Sequence, residues 1–198
     1  MARIKAFDPD DVLQRAMELF WRDGYASTSL SALLAHMGIS RQSLYDTFGD
    51  KNSLYLAALD RYEVAFTELV DRHLGNADAG VPALVAFAQV YVSNLVLPEE
   101  RGGCMMAAAA LELAHQDDGV AARVQSHLDT LEFALKSAIA EAQRRGELDA
   151  ADDANTAARV LVAVLSGLGV MNRSGATRTA LRRTIEGAIA ALLRPQPS

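Results

Sequence analysis

The sequence predicts an all-α protein of about nine helices. Apolar residues recur at the three- and four-residue spacing of helices along almost the whole chain, and no segment alternates as a half-buried strand does. The composition agrees, because alanine is abundant and aromatic residues make up only 6% of the 198 residues. Hydrophobic residues reach 51% and charged residues 22%, which is typical of a folded globular chain and excludes a largely disordered one.

Capping residues and glycines delimit the first three helices. The first helix should begin around Asp8-Pro9-Asp10, where proline and acidic residues suit the first turn, and should end at Gly24. A short second helix should stop at Gly38, and Ser40 can cap the third. The apolar residues expected to pack these short helices together are Leu33, Leu34, Met37, Ile39, Leu44 and Phe48.

A long fourth helix is expected to connect two parts of the chain. Gly49-Asp50 should end the third helix and cap the fourth, which runs from Lys51 to about Leu74. The segment G-N-A-D-A-G-V-P, residues 75–82, is the clearest joint. Further helices are expected at about 82–97, 100–115, 119–146, 153–172 and 178–193. We therefore expect an N-terminal domain of residues 1–50 and a helical domain of residues 51–198.

The second and third helices have the helix-turn-helix pattern of two short helices joined by a tight turn that contains glycine. At the start of the third helix, Arg41 can bridge O6 and N7 of guanine, and Gln42 can bridge N6 and N7 of adenine. Neighbouring hydroxyl groups and helix N-termini can contact phosphates. The candidate DNA contacts are Thr28, Ser29, Ser40, Arg41, Gln42, Ser43, Tyr45, Thr47 and Lys51, with Arg3 and Lys5 on the leading arm as further phosphate contacts.

Residues 7–60 resemble the N-terminal domain of the TetR/AcrR transcriptional regulators. The matching features are a first helix that ends in F-W-R-D-G-Y, the turn M-G-I-S, and L-Y-x-x-F-x-x-K before a hydrophobic helix. By this resemblance, Tyr45 and Lys51 occupy phosphate-contact positions, and residues 41–43 occupy recognition-helix positions. The chain departs from the family at Asp46-Thr47, where an aromatic or histidine pair is usual. Asp46 either accepts a hydrogen bond from a cytosine amino group or faces away from the groove.

The resemblance also implies three partners: a double-stranded DNA operator, a second copy of the chain, and a small-molecule effector that lowers operator affinity. Helices 153–172 and 178–193 carry broad apolar faces and are the expected dimerisation surface, although these faces could instead complete the core of one subunit. Candidate effector-pocket residues, which could equally be ordinary core residues, are Tyr62, Phe66, Phe87, Tyr91, Cys104, Met105 and Phe133.

Cys104 lies in the stretch E-R-G-G-C-M-M. This stretch resembles the G-C-L/M segment of a family branch, some of whose members sense electrophiles or oxidants through that cysteine. Gly102-Gly103 would open a helix with Cys104 in its first turn, where the helix N-terminus and Arg101 would favour the thiolate. The alternative is a small, buried packing residue, because free cysteine is among the most buried residue types.

Other classes of function receive less support. The four histidines are scattered, and we find no phosphate loop, no zinc-ligand spacing and no nucleophile–base pair beyond the solitary cysteine. His115, Asp117 and Asp118 could form at most a weak metal site, and a solvated turn is favoured; no cofactor is expected. A small helical enzyme and a helical interaction module without DNA binding are the alternatives.

The single cysteine and the hydropathy indicate a soluble protein of the cytoplasm, because one cysteine cannot form an intramolecular disulfide and fits a reducing compartment. The most apolar stretch, residues 157–171, contains Arg159 and is shorter than the roughly 20 residues that a bilayer span needs.

The net charge of −6 gives no sign of nucleic-acid binding. However, residues 1–55 carry six basic and seven acidic side chains, whereas the remainder carries 13 and 18. The excess acid therefore lies mostly away from the proposed DNA-binding face.

Overall fold

The described part of the chain forms nine α-helices and no strand, in a computed structural model that describes residues 7–75, 80–95 and 103–193. The helices are α1 (Pro9–Asp23), α2 (Leu30–Met37), α3 (Arg41–Phe48), α4 (Lys51–Leu74), α5 (Val81–Leu95), α6 (Met105–Glu112), α7 (Asp118–Arg144), α8 (Ala154–Arg173) and α9 (Arg178–Leu192). The predicted all-α fold is confirmed. Arg3, Lys5, Arg101, Gly102 and the predicted helix end at 96–97 lie outside the described residues.

The first four helices begin and end where the sequence predicts. Each begins after an N-cap residue whose side-chain oxygen accepts a hydrogen bond from a backbone N–H of the first turn. These N-caps are Asp8, Ser29, Ser40 and Asp50. Glycines with positive φ follow the ends of α1, α2 and α3. Because each signal involves residues only two to four positions apart, it can be read from the sequence alone.

The predicted helix at 100–115 is wrong in its extent. α6 begins at Met105, because Gly103 has a φ of +103° that no helix contains, and Cys104 is extended with φ −81° and ψ 120°. Cys104 is therefore the N-cap of α6 rather than a residue of its first turn, and its Sγ accepts a hydrogen bond from Ala107 N at 3.4 Å. The helix ends at Glu112 because Leu113 leaves helical geometry.

α4 lies at the centre of the packing. It contacts α1 and α3 of the helix-turn-helix region, and it also contacts α5, α6 and α7. One hydrophobic core extends from Val12 in α1 to Leu193 after α9. The helix-turn-helix region is consequently packed onto the rest of the chain rather than attached to it by a free linker.

α8 is the one helix in the described residues that is long and apolar enough to cross a membrane by length and composition. It has 20 residues, and its most apolar 18-residue window has a mean hydropathy of 1.5, so the expectation that the most apolar stretch is too short is wrong. One side of α8 is buried against α7 and α9, with Leu161, Leu165 and Leu168 among its buried residues. Burial of one side is how a core helix of a globular protein packs.

Candidate functional site

The exposed face of α3 carries the residues predicted to read bases. Leu44 is completely buried and holds the helix against the core, while Arg41 and Gln42 are exposed. Tyr45 is exposed over 47% of its surface, although large aromatic side chains are usually more buried. The inward anchor and the exposed polar face leave α3 able to enter a groove with Arg41 and Gln42 leading.

Asp46 has an identified partner in the DNA-free protein. Gln42 Nε2 donates a hydrogen bond to Asp46 Oδ1 at 2.7 Å, one helical turn away. Both residues are exposed, so Gln42 can exchange this bond for one to a base edge. Asp46 thus accepts a hydrogen bond within α3, and its contact with a cytosine amino group stays a prediction.

The serine hydroxyl groups at the start of α3 already take part in hydrogen bonds within the chain. Ser40 Oγ accepts from Ser43 N at 3.1 Å, and the two serine hydroxyl oxygens lie 2.9 Å apart. Ser29 caps α2 in the same way through Ala32 N. These caps leave two short helices with their N-termini at the surface, where backbone N–H groups favour phosphate oxygens.

Thr28 is a correction to the predicted DNA contacts. Its side chain is buried, and its Oγ1 donates to Gly24 O at 2.6 Å. The hydroxyl closes the loop between α1 and α2 and cannot reach a phosphate. No local signal distinguishes the two cases, because a threonine before a helix is equally compatible with a surface cap and a buried hydrogen-bond donor.

Lys51 also has a structural partner. Its Nζ donates to Tyr25 O at 2.7 Å and lies 4.0 Å from the centre of the Tyr25 ring. Partial burial lowers the pKa of Lys51. Because an ammonium group has three donors, a phosphate contact stays a prediction that is compatible with this bond. Lys51 therefore ties the α1–α2 loop to the start of α4.

The predicted effector-pocket residues divide into three groups. Tyr62, Phe66 and Tyr91 border a cavity of about 240 Å³ whose walls also include Trp21 of α1. Cys104 borders a different cavity of about 250 Å³ between α6, α7 and α8. The structure brings these four candidates to neighbouring cavities.

The other three pocket candidates do not line either cavity. Phe87 and Met105 are buried core residues. Phe133 is 73% exposed on the outer face of α7 and borders a separate surface pocket with Val70 and Leu74 of α4, so its role in effector binding stays a prediction. The neighbouring Leu131 and Leu135 occupy the inward positions of that helix.

Cys104 has a histidine partner, which corrects the expectation of a solitary cysteine. Cys104 Sγ lies 3.9 Å from His127 Nε2, and His127 Nδ1 lies 2.7 Å from Glu63 Oε2. Tyr62 donates its hydroxyl to the same sulfur at 3.8 Å. His127 was missed because it lies 23 residues from Cys104 and 64 from Glu63. The available signal was its position four residues before Leu131, on the inward side of α7.

The pKa values of this pair shift in opposite directions. Burial opposes the Cys104 thiolate, but the hydrogen bonds from His127 and Ala107 outweigh it and lower the pKa of the thiol. For His127, burial opposes the charged ring, but its contacts with Cys104 and Glu63 raise its pKa to about 9. Both directions favour transfer of the thiol proton to the imidazole, relative to the same two groups apart in water.

The segment around Cys104 is hydrogen-bonded to α1 and to the α1–α2 loop. Trp21 Nε1 donates to Gly103 O at 2.6 Å, next to the cysteine. At the other end of α6, Glu112 Oε2 accepts from Tyr25 N at 2.8 Å and from Ala26 N at 3.1 Å. Both ends of α6 are thus bonded to the helix-turn-helix region.

The residues of the possible weak metal site have other roles. Asp117 caps α7 by accepting from Val120 N, and it also accepts from Asn52 Nδ2 at 2.8 Å. His115 lies next to Gln116, 2.6 Å from its amide nitrogen. No group of three metal-ligating side chains occurs in the described residues.

Comparisons with known proteins agree for both halves of the chain. Residues 12–58 match the family described as bacterial regulatory proteins, tetR family, and residues 80–188 match the tetracyclin repressor-like C-terminal domain. The HTH-type transcriptional regulator YezE of Bacillus subtilis is 36% identical over 162 residues, which cover 81% of this chain and 84% of YezE. The HTH-type transcriptional repressor ComR of Escherichia coli is 30% identical over 176 residues, or 88% of this chain and 84% of ComR.

A solved structure agrees with this assignment over nearly the full length. It contains a cysteine mutant of the TetR family transcriptional regulator CifR, complexed with 26 bp double-strand operator DNA. Its TM-score to this chain is 0.84 at 29% identity, and the match covers 96% of this chain and all of that one. Together with the exposed recognition helix, these matches show that the chain belongs to the TetR family of DNA-binding transcriptional regulators.

Proposed function

We propose that this protein is a homodimeric repressor that binds a palindromic operator and leaves it when a small molecule reacts with Cys104. The observation that carries the proposal is a hydrogen bond that links the residue before Cys104 to α1. Trp21 of α1 donates it to the backbone oxygen of Gly103. Cytoplasmic location follows from its proposed binding to operator DNA. The division into a DNA-binding part, 1–50, and an effector and dimerisation part, 51–198, is part of the same proposal.

The proposed DNA contacts are the predicted set without Thr28. They are Ser29, Ser40, Arg41, Gln42, Ser43, Tyr45, Thr47 and Lys51. The exposure of the α3 face supports Arg41 and Gln42 as the residues that read bases. The hydroxyls and N-termini of α2 and α3 suit phosphates, which fix the position of the protein without specifying sequence.

Coupling between the two functions would pass through α6. Cys104 is buried, and a Cβ built on Gly169 of α8 would lie only 3.0 Å from the Cys104 backbone N. The start of α6 is therefore packed tightly against α8, and an adduct on the sulfur would have to fit into the cavity that Cys104 borders or displace this part of the chain. Movement would change the bonds of Gly103 to Trp21 and of Glu112 to the α1–α2 loop. Operator affinity falls if the modified site fits the DNA-incompetent arrangement better.

The proposed dimer surface centres on α8. Val160, Ala163, Gly167 and Val170 are spaced at three and four residues along one side of α8. A Cβ on Gly167 would meet no atom of another element within 4 Å in the part of the chain that the structure describes. On α9, by contrast, Leu181 and Ile185 are buried within the subunit. Part of the apolar face predicted for α9 thus belongs to the subunit core, and the exposed part of α8 is left for a second copy.

Val170→Asp is expected to weaken dimerisation by about tenfold or more, because a twofold axis would bring like charges together and desolvate them. Val170 is 46% exposed in the subunit, so the single chain should tolerate the change. Sedimentation equilibrium measures the dissociation constant. Val64→Asp is the matched control, since Val64 is 61% exposed on α4. Equal dimer dissociation constants for the two variants would show that this part of α8 does not lie in the interface.

Operator selection from random DNA tests the proposed DNA-binding function. The selected sequence should be a palindrome, and log Kd should vary steeply with log salt because phosphate contacts release counterions. A helical interaction module or an enzyme would enrich no sequence and give no such slope. A DNA dissociation constant that does not change with salt concentration would contradict the proposed function.

A further inference from the structure

Three side chains from three parts of the fold form a continuous chain of contacts. Cys104, the N-cap of α6, lies 3.9 Å from Nε2 of His127 on α7. Nδ1 of that ring lies 2.7 Å from Glu63 Oε2 on α4. His127 is only 2% exposed, so its ring is held in place. A nucleophile, a base and an orienting carboxylate thus stand in sequence.

We propose that His127, oriented by Glu63, holds Cys104 as a thiolate and donates the proton that completes its addition to an uncharged α,β-unsaturated carbonyl compound. The inference rests on the proposed function in taking Cys104 as the residue that meets the effector. It adds the activating groups, the chemical class of effector and the fate of the proton.

The addition balances without any further reactant. The Cys104 sulfur attacks the β-carbon and forms a C–S bond, while the alkene π pair moves towards the carbonyl to give an enolate. The enolate takes the proton from Nε2 of His127 at its α-carbon. The product is a neutral thioether beside a neutral imidazole whose Nδ1–H faces Glu63. The addition therefore removes the charge pair between α6 and α7 and leaves Glu63 without a cationic partner there.

The cavity next to the thiol favours an uncharged compound. Cys104 and His127 both border it, and its volume is about 250 Å³. Most other wall residues are apolar, including Met106, Leu111 and Val124, and Ser166 is the one further polar side chain that the described residues contribute. A charged reactant would lose its hydration on entering such a space with little to replace it.

Among the described residues, the other groups around the sulfur do not supply a second base. Tyr62 donates its hydroxyl to the sulfur, and burial together with the nearby thiolate raises the pKa of this phenol. Tyr91 of α5 donates to Leu165 O, and its pKa is raised for the same two reasons. From α8, Gly169 lies against Cys104, and Arg173 lies beside Gly103. His127 is the group at the sulfur that gains a proton most easily.

The wild-type protein provides the first test, through the pH dependence of thiol addition. Methyl vinyl ketone is the probe, and mass spectrometry follows Cys104, which is the single cysteine of the chain. The second-order rate constant should change less than about threefold between pH 6 and 8, since the thiolate is already formed. An ordinary thiol with a pKa near 8.5 would instead react roughly tenfold faster per pH unit over much of this range. Such a slope in the wild type would overturn the proposal.

Variants then assign the roles. His127→Asn should lower the rate constant at pH 7 by about tenfold or more and restore a steep pH profile, because a protonated thiol is a poor nucleophile. Glu63→Gln, at a partly exposed position, should move the profile in the same direction by less. His115→Asn and Glu68→Gln are matched controls at exposed positions and should keep the wild-type profile. A wild-type rate and flat profile in His127→Asn would overturn the assignment, and circular dichroism establishes that each variant is folded.

Failure of this inference can be distinguished from failure of the proposed function. The rate measurement contains no DNA and therefore reports only the chemistry at Cys104. If the wild-type rate constant is nearly independent of pH but the adduct does not release the operator, the activated thiol is supported and the proposed release mechanism is refuted. If the operator is released but the rate constant rises steeply with pH and does not depend on His127, the release mechanism is supported and activation by His127 is refuted.

Discussion

Cys104→Ser will keep operator affinity within about twofold of wild type and abolish the response to a thiol-reactive effector. In the wild-type protein, a coupling free energy of about 1–3 kcal/mol would raise the operator Kd by roughly 5- to 150-fold on modification. Serine is well suited to this test, because Cys104 caps α6 and serine is among the preferred N-cap residues. Fluorescence anisotropy with labelled operator, before and after methyl vinyl ketone, measures both quantities.

Cys104→Ala separates the cap from the reaction. The Cys104→Ala protein, like Cys104→Ser, has no thiol to react with the reagent. It also lacks the N-cap side chain of α6, and this loss should lower the free energy of unfolding by about 0.5–2 kcal/mol. Urea unfolding detects this cost. If Cys104→Ser still released operator on treatment, another site would be responsible, since the chain holds no second cysteine.

Arg41→Ala should lower affinity for the selected operator by about 5- to 150-fold, the equivalent of losing about 1–3 kcal/mol from a bidentate contact to guanine. Random DNA should be bound almost as before, because base contacts carry the specificity. Lys51→Ala should instead weaken all sequences alike. Part of the Lys51 effect would come from releasing Tyr25, whose carbonyl oxygen accepts from the lysine.

Arg72→Ala is the charge-matched control for Arg41→Ala. Arg72 lies in the last turn of α4, far along the chain from α3 and exposed to solvent. Its removal changes the net charge equally and should leave both operator and random-DNA affinities close to wild type. Equal losses on operator and random DNA for Arg41→Ala would refute its role in base reading.

The sequence predicts the N-terminal helices well because their boundaries are set locally. Ser40, for example, caps α3 through Ser43, and Gly38 ends α2 with a left-handed φ of +71°. Arg41 and Gln42 follow directly from this register, since they are the first residues after the cap. The fixed spacing of the helix-turn-helix and its inward side chains therefore predicts the exposed face of α3.

The contacts around Cys104 could not be predicted from neighbouring residues in the sequence. The pairing of Cys104 with His127 and Glu63 depends on how α6, α7 and α4 pack, and nothing near Cys104 in the sequence specifies it. The two glycines before Cys104 predicted a helix start, whereas Gly103 adopts a positive φ and the helix begins only at Met105. The exposure of Phe133 could not be read from the sequence for a related reason, because the rotation of α7 about its axis is set by packing against other helices.

The most direct test of the account is to compare Cys104 occupancy with operator binding in the same wild-type sample. Increasing methyl vinyl ketone would convert the thiol to its adduct, intact-mass measurement would give the modified fraction, and anisotropy would give operator Kd. We predict that affinity falls as the modified fraction rises, reaching at least a fivefold loss at full modification. A fully modified protein that binds operator as tightly as the unmodified one would contradict the account.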